Sequence, residues 1–253
     1  MSESHVQFFD LGKRYGSGPA ILDGISLSVA SGEFVSLIGP SGCGKSTLLK
    51  LIAGLSPVTE GRLLVKGKAP ARAREKTAFI FQESTLLPWL TVIRNIETLL
   101  RIKKVGRKEA RRIAEEMMER VRLGHVRDHH PRQLSGGMKM RVSIARALSV
   151  NPELLLLDEP FGALDEMTRD HLNEELLDLR SEHNWTALFV THSVREAVFL
   201  SSRIVVLSAN PGRVHRVIDV PLAYPRTGET RDSAEYQTLV TEVTHVLRSV
   251  ESR

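Results

Sequence analysis

The sequence is poor in cysteine and aromatic residues and has no long apolar run. Its 253 residues include a single cysteine, so no disulfide can form within the chain, which agrees with a reducing compartment. No stretch approaches the roughly 18 consecutive apolar residues that a membrane-spanning helix needs. The first ten residues lack the basic and apolar segments of a secretory signal, so a cytosolic location is expected. Aromatic residues make up only 5%, which argues against a surface that stacks nucleic-acid bases, and no nucleic-acid partner is expected.

The positive charge is local. The chain carries a net charge of +5, and residues 91–133 contain twelve Lys and Arg against six Asp and Glu. Two interpretations of this basic segment stay open. It can face an anionic membrane surface, or it can be a solvated helix face with ion pairs four residues apart.

The apolar pattern predicts an α/β fold. Segments with strand-like patterns occur at 6–9, 25–29, 34–38, 61–66, 154–157, 186–190 and 204–207. Helical spacing occupies residues 90–148, and it returns in the segments that follow residues 157 and 190. This order predicts a parallel core with an antiparallel β wing and an inserted α-helical subdomain at about 84–148. The expected domain spans 1–230, and an amphipathic helix at 231–253 packs on it.

Residues 39–47, GPSGCGKST, match the phosphate-binding loop Gly-x-x-x-x-Gly-Lys-Ser between an apolar strand and an apolar helix. Glycines let the backbone N–H groups turn toward an anion, and the helix that follows adds the positive end of its dipole. Lys45 is expected to reach the β and γ phosphates of a nucleotide, and Ser46 to offer its hydroxyl to Mg²⁺. The residues expected to bind nucleotide here are Gly39, Pro40, Ser41, Gly42, Cys43, Gly44, Lys45, Ser46 and Thr47.

Cys43 has two interpretations. Its place near a helix N-terminus and Lys45 favours a thiolate that reacts readily with alkylating reagents. The alternative is a small residue that fills a turn with its thiol pointing inward.

Two adjacent acids end a predicted buried strand, LLLLDEP at 154–160. Asp158 is expected to hold Mg²⁺ through water. Glu159 is then placed to act as a general base toward the water that attacks the γ phosphate.

A Leu-Ser-Gly-Gly segment at 134–137 lies between the phosphate loop and the acidic strand. Gln82 lies between the phosphate loop and this segment, and His192 lies after the acidic strand. With these motifs in this order, residues 6–216 resemble the ATP-binding subunits of ABC transporters. The resemblance implies a P-loop NTPase core of the RecA-like type, with ATP and Mg²⁺ as ligands. It also implies an active unit of two chains, in which Ser135, Gly136 and Gly137 of one copy close over the ATP bound by the other.

The same resemblance assigns individual roles. Tyr15 is expected to stack on adenine, and Gln82 to contact Mg²⁺ and the attacking water. His192 is expected to contact the γ phosphate, and Asp165 to lie across the dimer interface. The family usually has glutamine where this chain has Met138 and Met140, which bears on the polar support of the Ser-Gly-Gly loop and the strength of the closed dimer.

Two further segments resemble importers of the nitrate, sulfonate and taurine group. These are the Leu-Pro-Trp at 87–89, shortly after Gln82, and Ser-Ala-Asn-Pro-Gly-Arg at 208–213. Leu86, Leu87 and Trp89 are expected to form an apolar socket for a helix of a membrane subunit. The regulatory domain of longer sugar-importer subunits is not expected after the core.

The resemblance therefore implies an ATPase that energises import of a small solute. Expected partners are a permease and a periplasmic or lipoprotein solute-binding protein, at the cytoplasmic side of the inner membrane, where the chain is peripheral. Alternatives are an importer subunit for a different solute and a soluble ABC ATPase acting on ribosomes or DNA. Glu159 and His192 argue against a scaffold without hydrolysis, and the Leu-Ser-Gly-Gly segment excludes a nucleotide kinase.

Overall fold

The computed structural model describes residues 4–182 and 185–251, so the extreme ends of the predicted ranges 1–230 and 231–253 lie outside the described residues. The strands are β1 (Ser4–Arg14), β2 (Ala20–Ala30), β3 (Phe34–Ile38), β4 (Glu60–Val65), β5 (Thr77–Ile80), β6 (Leu154–Asp158), β7 (Thr186–Val190), β8 (Arg203–Ser208) and β9 (Arg213–Asp219). The helices are α1 (Lys45–Ile52), α2 (Pro70–Ala73), α3 (Val92–Ile102), α4 (Arg107–Arg120), α5 (Gly136–Leu148), α6 (Glu166–Glu182), α7 (Val194–Leu200), α8 (Gly228–Asp232) and α9 (Ala234–Glu251).

The strands form two sheets. The larger has the order β5-β6-β7-β3-β8-β9, in which the first five strands are parallel and β9 runs antiparallel to β8. The smaller is antiparallel with the order β2-β1-β4. The predicted α/β class with a parallel core and an antiparallel wing is confirmed.

Four of the parallel strands, β3, β6, β7 and β8, are buried on both faces over most of their length, as their continuous apolar sequences predict. Within β3, Phe34 and Ile38 belong to one hydrophobic core, whereas Val35 and Leu37 belong to a second. Because successive strand residues point to opposite faces, the central sheet separates the two cores. One core includes residues of the helical segment and of α9, and the other includes the antiparallel wing and α1.

Strands β5 and β9 were not predicted. β5 has four residues and is half-buried on one face, so its apolar alternation is too short to stand out. β9 is an edge strand with charged residues in three of its seven positions and only one buried side chain. Edge strands of this kind lack the apolar pattern on which strand prediction depends.

Helices α3, α4 and α5 pack together in the segment predicted as a helical subdomain. Apolar residues at helical spacing on α4 and just after it face the core: Ile113 is half-buried, and the buried ones are Ala110, Ala114, Met117 and Val121. Many arginines of this basic segment bind acids. Arg111 and Arg101 contact Glu97 at 3.0 and 2.6 Å, and Arg127 contacts Glu115 at 2.6 Å. These contacts favour the interpretation of the segment as an ion-paired helix face.

Helix α9 packs its apolar side on α7 and β8. Tyr236 and Val243 are fully buried, and the Tyr236 hydroxyl donates a hydrogen bond to the carbonyl of Arg195 at 3.0 Å. Among residues 4–182 and 185–251, no helix combines the length and the apolar character that crossing a bilayer demands.

Candidate functional site

The candidate residues gather at one edge of the large sheet. In parallel strands the carboxyl ends lie at the same edge, and β5, β6, β7 and β3 are consecutive neighbours. Gln82 follows β5, Asp158 and Glu159 end β6, His192 follows β7, and the phosphate loop (residues 39–47) follows β3. Four segments that are distant in sequence therefore meet at this edge.

The phosphate loop encloses the Lys45 ammonium group. Nζ donates hydrogen bonds to the carbonyls of Gly39 at 2.8 Å and Pro40 at 2.9 Å. Gly44 has a φ of +94°, and a Cβ there would lie 2.6 Å from Cδ2 of Leu22. Only glycine accepts both the left-handed conformation and the close approach, so the sequence motif has a steric cause here.

Ser46 and Asp158 place two oxygens side by side. The Ser46 hydroxyl donates a hydrogen bond of 2.8 Å to Oδ1 of Asp158. Burial raises the pKa of the Asp158 carboxyl above its usual range, the Ser46 hydrogen bond opposes this, and the nearby Glu159 charge raises the pKa further. A site that disfavours the bare carboxylate is suited to a cation beside it.

These oxygens fit Mg²⁺ in the presence of phosphate. Among the described residues, no group of three or more His, Cys, Asp or Glu side chains can hold a metal ion. Mg²⁺ commonly uses one or two protein oxygens and completes its shell with water and substrate phosphates. A hydroxyl and a carboxylate beside a phosphate loop match that donor set.

Glu159 has a strained backbone that neighbouring strands hold in place. Its φ is +46°, an uncommon conformation for a residue other than glycine. Its amide donates a hydrogen bond to the Val190 carbonyl at 3.0 Å, which ties the end of β6 to the end of β7. Oε2 of Glu159 lies 3.4 Å from Nδ1 of His192. The acid and the histidine thus lie next to each other and are both accessible to solvent.

An open cleft of about 340 Å³ lies over the phosphate loop. Its lining includes Tyr15, Ile21, Lys45, Ser46 and Glu159. The Tyr15 ring is half exposed, and the Lys13 ammonium group lies 4.6 Å from its centroid. The cleft thus combines an accessible aromatic ring, a phosphate loop and a carboxylate.

Ser135, Gly136 and Gly137 are not among the described residues that line this cleft. Ser135 is the N-cap of α5, and its Oγ accepts a hydrogen bond from the amide of Met138 at 3.3 Å. Met138 is half-buried against the core and Met140 is buried, so apolar packing supports this loop where the family has glutamines. The loop is available to a ligand held outside this chain.

Asp165 caps helix α6. Its Oδ1 accepts a hydrogen bond from the Thr168 amide at 2.9 Å, and this bond holds the pKa of the carboxyl below its usual range. The side chain is solvent-accessible, so the cap leaves it free for a further contact.

The Gln82 side chain is exposed, and the segment after it is held by two residues that the sequence analysis missed. Arg146 of α5 donates hydrogen bonds to the carbonyls of Ser84 at 3.0 Å and Thr85 at 2.9 Å. Buried Asn95 of α3 binds the amide of Leu87 at 2.8 Å and the carbonyls of residues 87, 90 and 91. Neither residue belongs to a nucleotide-binding motif, so only the fold reveals them.

The expected apolar socket is smaller than predicted. Leu86 and Leu87 are half-buried, and Leu86 packs on the core of the domain. Trp89, in contrast, has 69% of its surface exposed. The large apolar surface that this segment offers is therefore that of Trp89.

Of the two interpretations of Cys43, the structure favours the small residue whose thiol points inward. Its side chain is fully buried, packs in the core between α1 and the antiparallel wing, and lies 3.7 Å from the Lys45 ammonium group. Burial raises the pKa of the Cys43 thiol, and the lowering effect of the Lys45 charge is smaller. The sequence shows the neighbouring charge but cannot show the burial that outweighs it.

Comparison with known proteins gives the family. The family model of the ABC transporter matches residues 22–162, more than half of the chain. The chain belongs to the ABC transporter family. It is an ATP-binding subunit with the ATPase fold of that family, as the motifs predict.

Curated relatives are similar over most of their length. The chain is 47% identical over 223 residues to the aliphatic sulfonates import ATP-binding protein SsuB of Bacillus thuringiensis, covering 88% of this chain and 86% of the relative. It is 48% identical over 212 residues to the protein of the same name from Bacillus subtilis, covering 84% and 82%.

A solved structure supports the fold. A dimeric ATP-binding cassette in a post-hydrolysis state, bound to ADP and Pi, matches with a TM-score of 0.77 and 35% identity, covering 86% of this chain and all of that one. A second dimeric bacterial ABC transporter cassette matches with a TM-score of 0.76 and 34% identity over the same shares.

Proposed function

We propose that this chain is the ATP-hydrolysing subunit of an importer for aliphatic sulfonates or closely similar anionic solutes. The observation that carries the proposal is the meeting of Lys45, Ser46, Asp158 and Glu159 at one edge of the sheet. The names of the relatives supply the transport direction and the solute class. The Leu-Pro-Trp and Asn-Pro-Gly segments support the same importer group.

The phosphate loop binds the ATP phosphates. Lys45 exchanges its two carbonyl partners for the β and γ phosphate oxygens, because a phosphate offers a stronger, charged acceptor. The backbone N–H groups of residue 39 and residues 41–47 surround the anion, and Tyr15 stacks on the adenine at the open end of the cleft.

Mg²⁺ neutralises negative charge on the β and γ phosphates when it is bound. Ser46 and Asp158 would hold it, Asp158 through water, and Gln82 would contact it from the segment that also carries Trp89. Gln82 and Trp89 would thus place a metal contact and a permease contact in one short stretch of chain.

Glu159 accepts the proton from the water that attacks the γ phosphorus, and the bond to the β-γ bridging oxygen breaks to give ADP and phosphate. His192 lies next to the Glu159 carboxylate and contacts the γ phosphate. Its Nδ1 at 3.4 Å from Oε2 of Glu159 keeps the carboxylate oriented toward the phosphate side of the cleft.

A second copy completes the site. Ser135, Gly136 and Gly137 lie at the N-terminus of α5 and give a donor-rich loop that can close over the partner's phosphates. Asp165 lies next to this interface, since the adjacent Leu164 packs on Gly136 of the Ser-Gly-Gly segment. The dimeric cassettes that match this chain support such an arrangement.

Transport requires a permease on the face that carries Trp89 and, for import, a periplasmic or lipoprotein solute-binding protein. The subunit then lies at the cytoplasmic side of the inner membrane as a peripheral component. Residues 1–230 serve as the ATPase domain with its helical subdomain at about 84–148, and 231–253 as the helix that packs on it.

The nucleotide site is tested by binding of a fluorescent ATP analogue to the purified chain in the presence of Mg²⁺. Lys45→Ala should bind a fluorescent ATP analogue at least about 100-fold more weakly, since two charge-assisted contacts are lost. Lys108→Ala, an exposed lysine of α4, is the matched control and should leave binding unchanged. Equal binding by Lys45→Ala and the unaltered chain would contradict the nucleotide site.

The solute class is tested by growth. A host strain that lacks this gene should fail to grow when an alkanesulfonate is the sole sulfur source, and it should grow normally on sulfate. The unaltered gene should restore growth on the sulfonate, and the Lys45→Ala gene should not. Normal growth of the deletion strain on the sulfonate would contradict the assigned solute class. If the purified chain still hydrolyses ATP, the assigned ATPase activity is unaffected by that result.

A further inference from the structure

A buried carboxylate holds the turn from which His192 projects. Glu196 is 4% exposed and lies in the first turn of α7. The Thr191 hydroxyl donates a hydrogen bond to Oε2 of Glu196 and accepts one from the Ser193 amide at 2.9 Å. The Glu196 amide donates in turn to Oγ of Ser193 at 3.3 Å. Glu196 thus fixes residues 191–193, which we name the switch turn, from inside the protein.

An arginine connects this carboxylate to a second loop. Nε of Arg169 lies 3.9 Å from Oε1 of Glu196, and its Nη2 donates to the Leu164 carbonyl at 2.8 Å. Its Nε also donates to the Phe161 carbonyl at 3.3 Å. Arg169 therefore holds residues 161–165, which we name the aspartate loop, against α6. Burial raises the pKa of the Glu196 carboxyl, while the Thr191 hydrogen bond and then the Arg169 charge lower it.

The aspartate loop touches the nucleotide-binding segments on both sides. A Cβ on Gly136 would lie 3.1 Å from Cδ2 of Leu164, so the loop packs on the Ser-Gly-Gly segment. On the other side, a Cβ on Gly162 would lie 3.4 Å from Cε1 of His192. A continuous path therefore runs from residues 135–137 through the aspartate loop, Arg169 and Glu196 to the switch turn.

We propose that Arg169 and Glu196 are positioning residues that couple the two ATP sites of the dimer. The proposal rests on the dimer of the proposed function. There, the Ser-Gly-Gly loop of a chain contacts the partner's ATP, whereas His192 and Glu159 of that chain act on its own ATP. A displacement of that loop by the partner's nucleotide passes through Leu164 to the guanidinium of Arg169 and thence to the switch turn.

Neither residue is among the described residues that line the ATP cleft. Their effect is therefore on the geometry and timing of hydrolysis, with little effect on the binding of a single ATP. A merely structural pair would lower stability in each variant but leave the cooperativity of hydrolysis unchanged.

The experiment measures ATP hydrolysis against ATP concentration for the full chain, Glu196→Gln and Arg169→Lys. Glu196→Gln keeps the shape and the acceptor for Thr191 but removes the charge opposite Arg169. Arg169→Lys keeps the charge but loses the planar group that binds two carbonyls. Fluorescent ATP binding and the melting temperature are measured on the same samples.

The matched control is Arg203→Lys. Arg203 is 21% exposed, close to the 22% of Arg169, and its Nε pairs with Glu33 at 2.8 Å outside the path. We expect this control to keep the kcat and the Hill coefficient of the unaltered chain.

For Glu196→Gln and Arg169→Lys we expect kcat to fall about 5- to 30-fold, ATP affinity to stay within about twofold, and the Hill coefficient to fall from above 1 toward 1. An unchanged Hill coefficient in both variants would overturn the coupling, whether or not kcat falls. A Hill coefficient of 1 in the unaltered dimer would overturn it as well. If Glu196→Gln melts below the assay temperature, Arg169→Lys decides by the same criteria. Absence of hydrolysis in both the unaltered chain and Arg203→Lys would instead refute the proposed ATPase function.

Discussion

Gly212 packs against the carbonyl of Cys43, so that a Cβ added to Gly212 would lie 2.0 Å from that oxygen. The turn between β8 and β9 therefore supports the back of the phosphate loop. The Gly212 amide also donates a hydrogen bond to the Ile21 carbonyl at 2.9 Å. Ile21 lines the cleft that is proposed to hold adenine. The Asn-Pro-Gly segment, which marks the importer group, thus has a structural role at the nucleotide site.

Gly212→Ala should weaken ATP binding at least about tenfold, because the methyl group overlaps backbone atoms that cannot move without shifting the loop. The measurement is the affinity for a fluorescent ATP analogue, with circular dichroism to follow the fold. Gly106→Ala is the matched control, since a Cβ there meets no atom within 4 Å. Unchanged affinity in a folded Gly212→Ala protein would show that the turn does not support the loop.

Cys43 should react slowly with a maleimide. At pH 8 the buried thiol stays protonated, so labelling should be at least about tenfold slower than in the urea-unfolded chain. The rate should continue to rise above pH 9.0, the ordinary pKa of the group. Mass spectrometry of the single cysteine gives both rates. Equal labelling of the folded and unfolded chains would contradict the burial of Cys43.

The same thiol makes a contribution to stability with a definite sign. Because its folded pKa is raised, the contribution is complete below pH 9.0 and is lost as pH rises through the folded value. The difference in free energy of unfolding between the unaltered chain and Cys43→Ala should therefore shrink from pH 8 to pH 11. Urea titrations at both pH values measure it, and a difference that grows with pH would contradict the prediction.

Trp89→Ala should separate transport from hydrolysis. Its ring is exposed and is not among the described residues that line the ATP cleft, so the ATPase rate of the isolated subunit should stay within about threefold and its stability within about 0.5 kcal/mol. Stimulation of hydrolysis by the reconstituted permease should fall at least about tenfold, as expected for a central aromatic contact.

Leu55→Ala is the matched control for this experiment, since Leu55 is also an exposed apolar residue, at 57%. Leu55→Ala should leave unchanged both the ATPase rate of the isolated subunit and the stimulation of that rate by the permease. If Trp89→Ala abolishes hydrolysis in the isolated, folded subunit, then Trp89 acts on the nucleotide site and the coupling role is wrong.

Sequence-based prediction succeeded where a feature is set by residues that are adjacent in the chain. The phosphate loop and the buried strand that ends at Asp158 are set by adjacent residues, so their chemistry is readable from the sequence. The ion pair of Arg169 with Glu196 and the contact of Gly212 with Cys43 arise only when distant segments meet. Burial at Cys43 likewise depends on the antiparallel wing, which covers the loop from another part of the chain.

In the proposed dimer, two copies hold ATP between the phosphate loop of one and the Ser-Gly-Gly loop of the other. Glu159→Gln tests it most directly, because the amide cannot accept the proton from water while the phosphate contacts remain. Light scattering coupled to size-exclusion chromatography measures its mass with saturating MgATP. Bound nucleotide is counted in the eluted peak.

We expect Glu159→Gln to form a dimer with two ATP molecules, and Glu159→Gln combined with Lys45→Ala to stay monomeric. Glu159→Gln that binds MgATP at saturation but remains monomeric at high protein concentration would contradict the two-chain site.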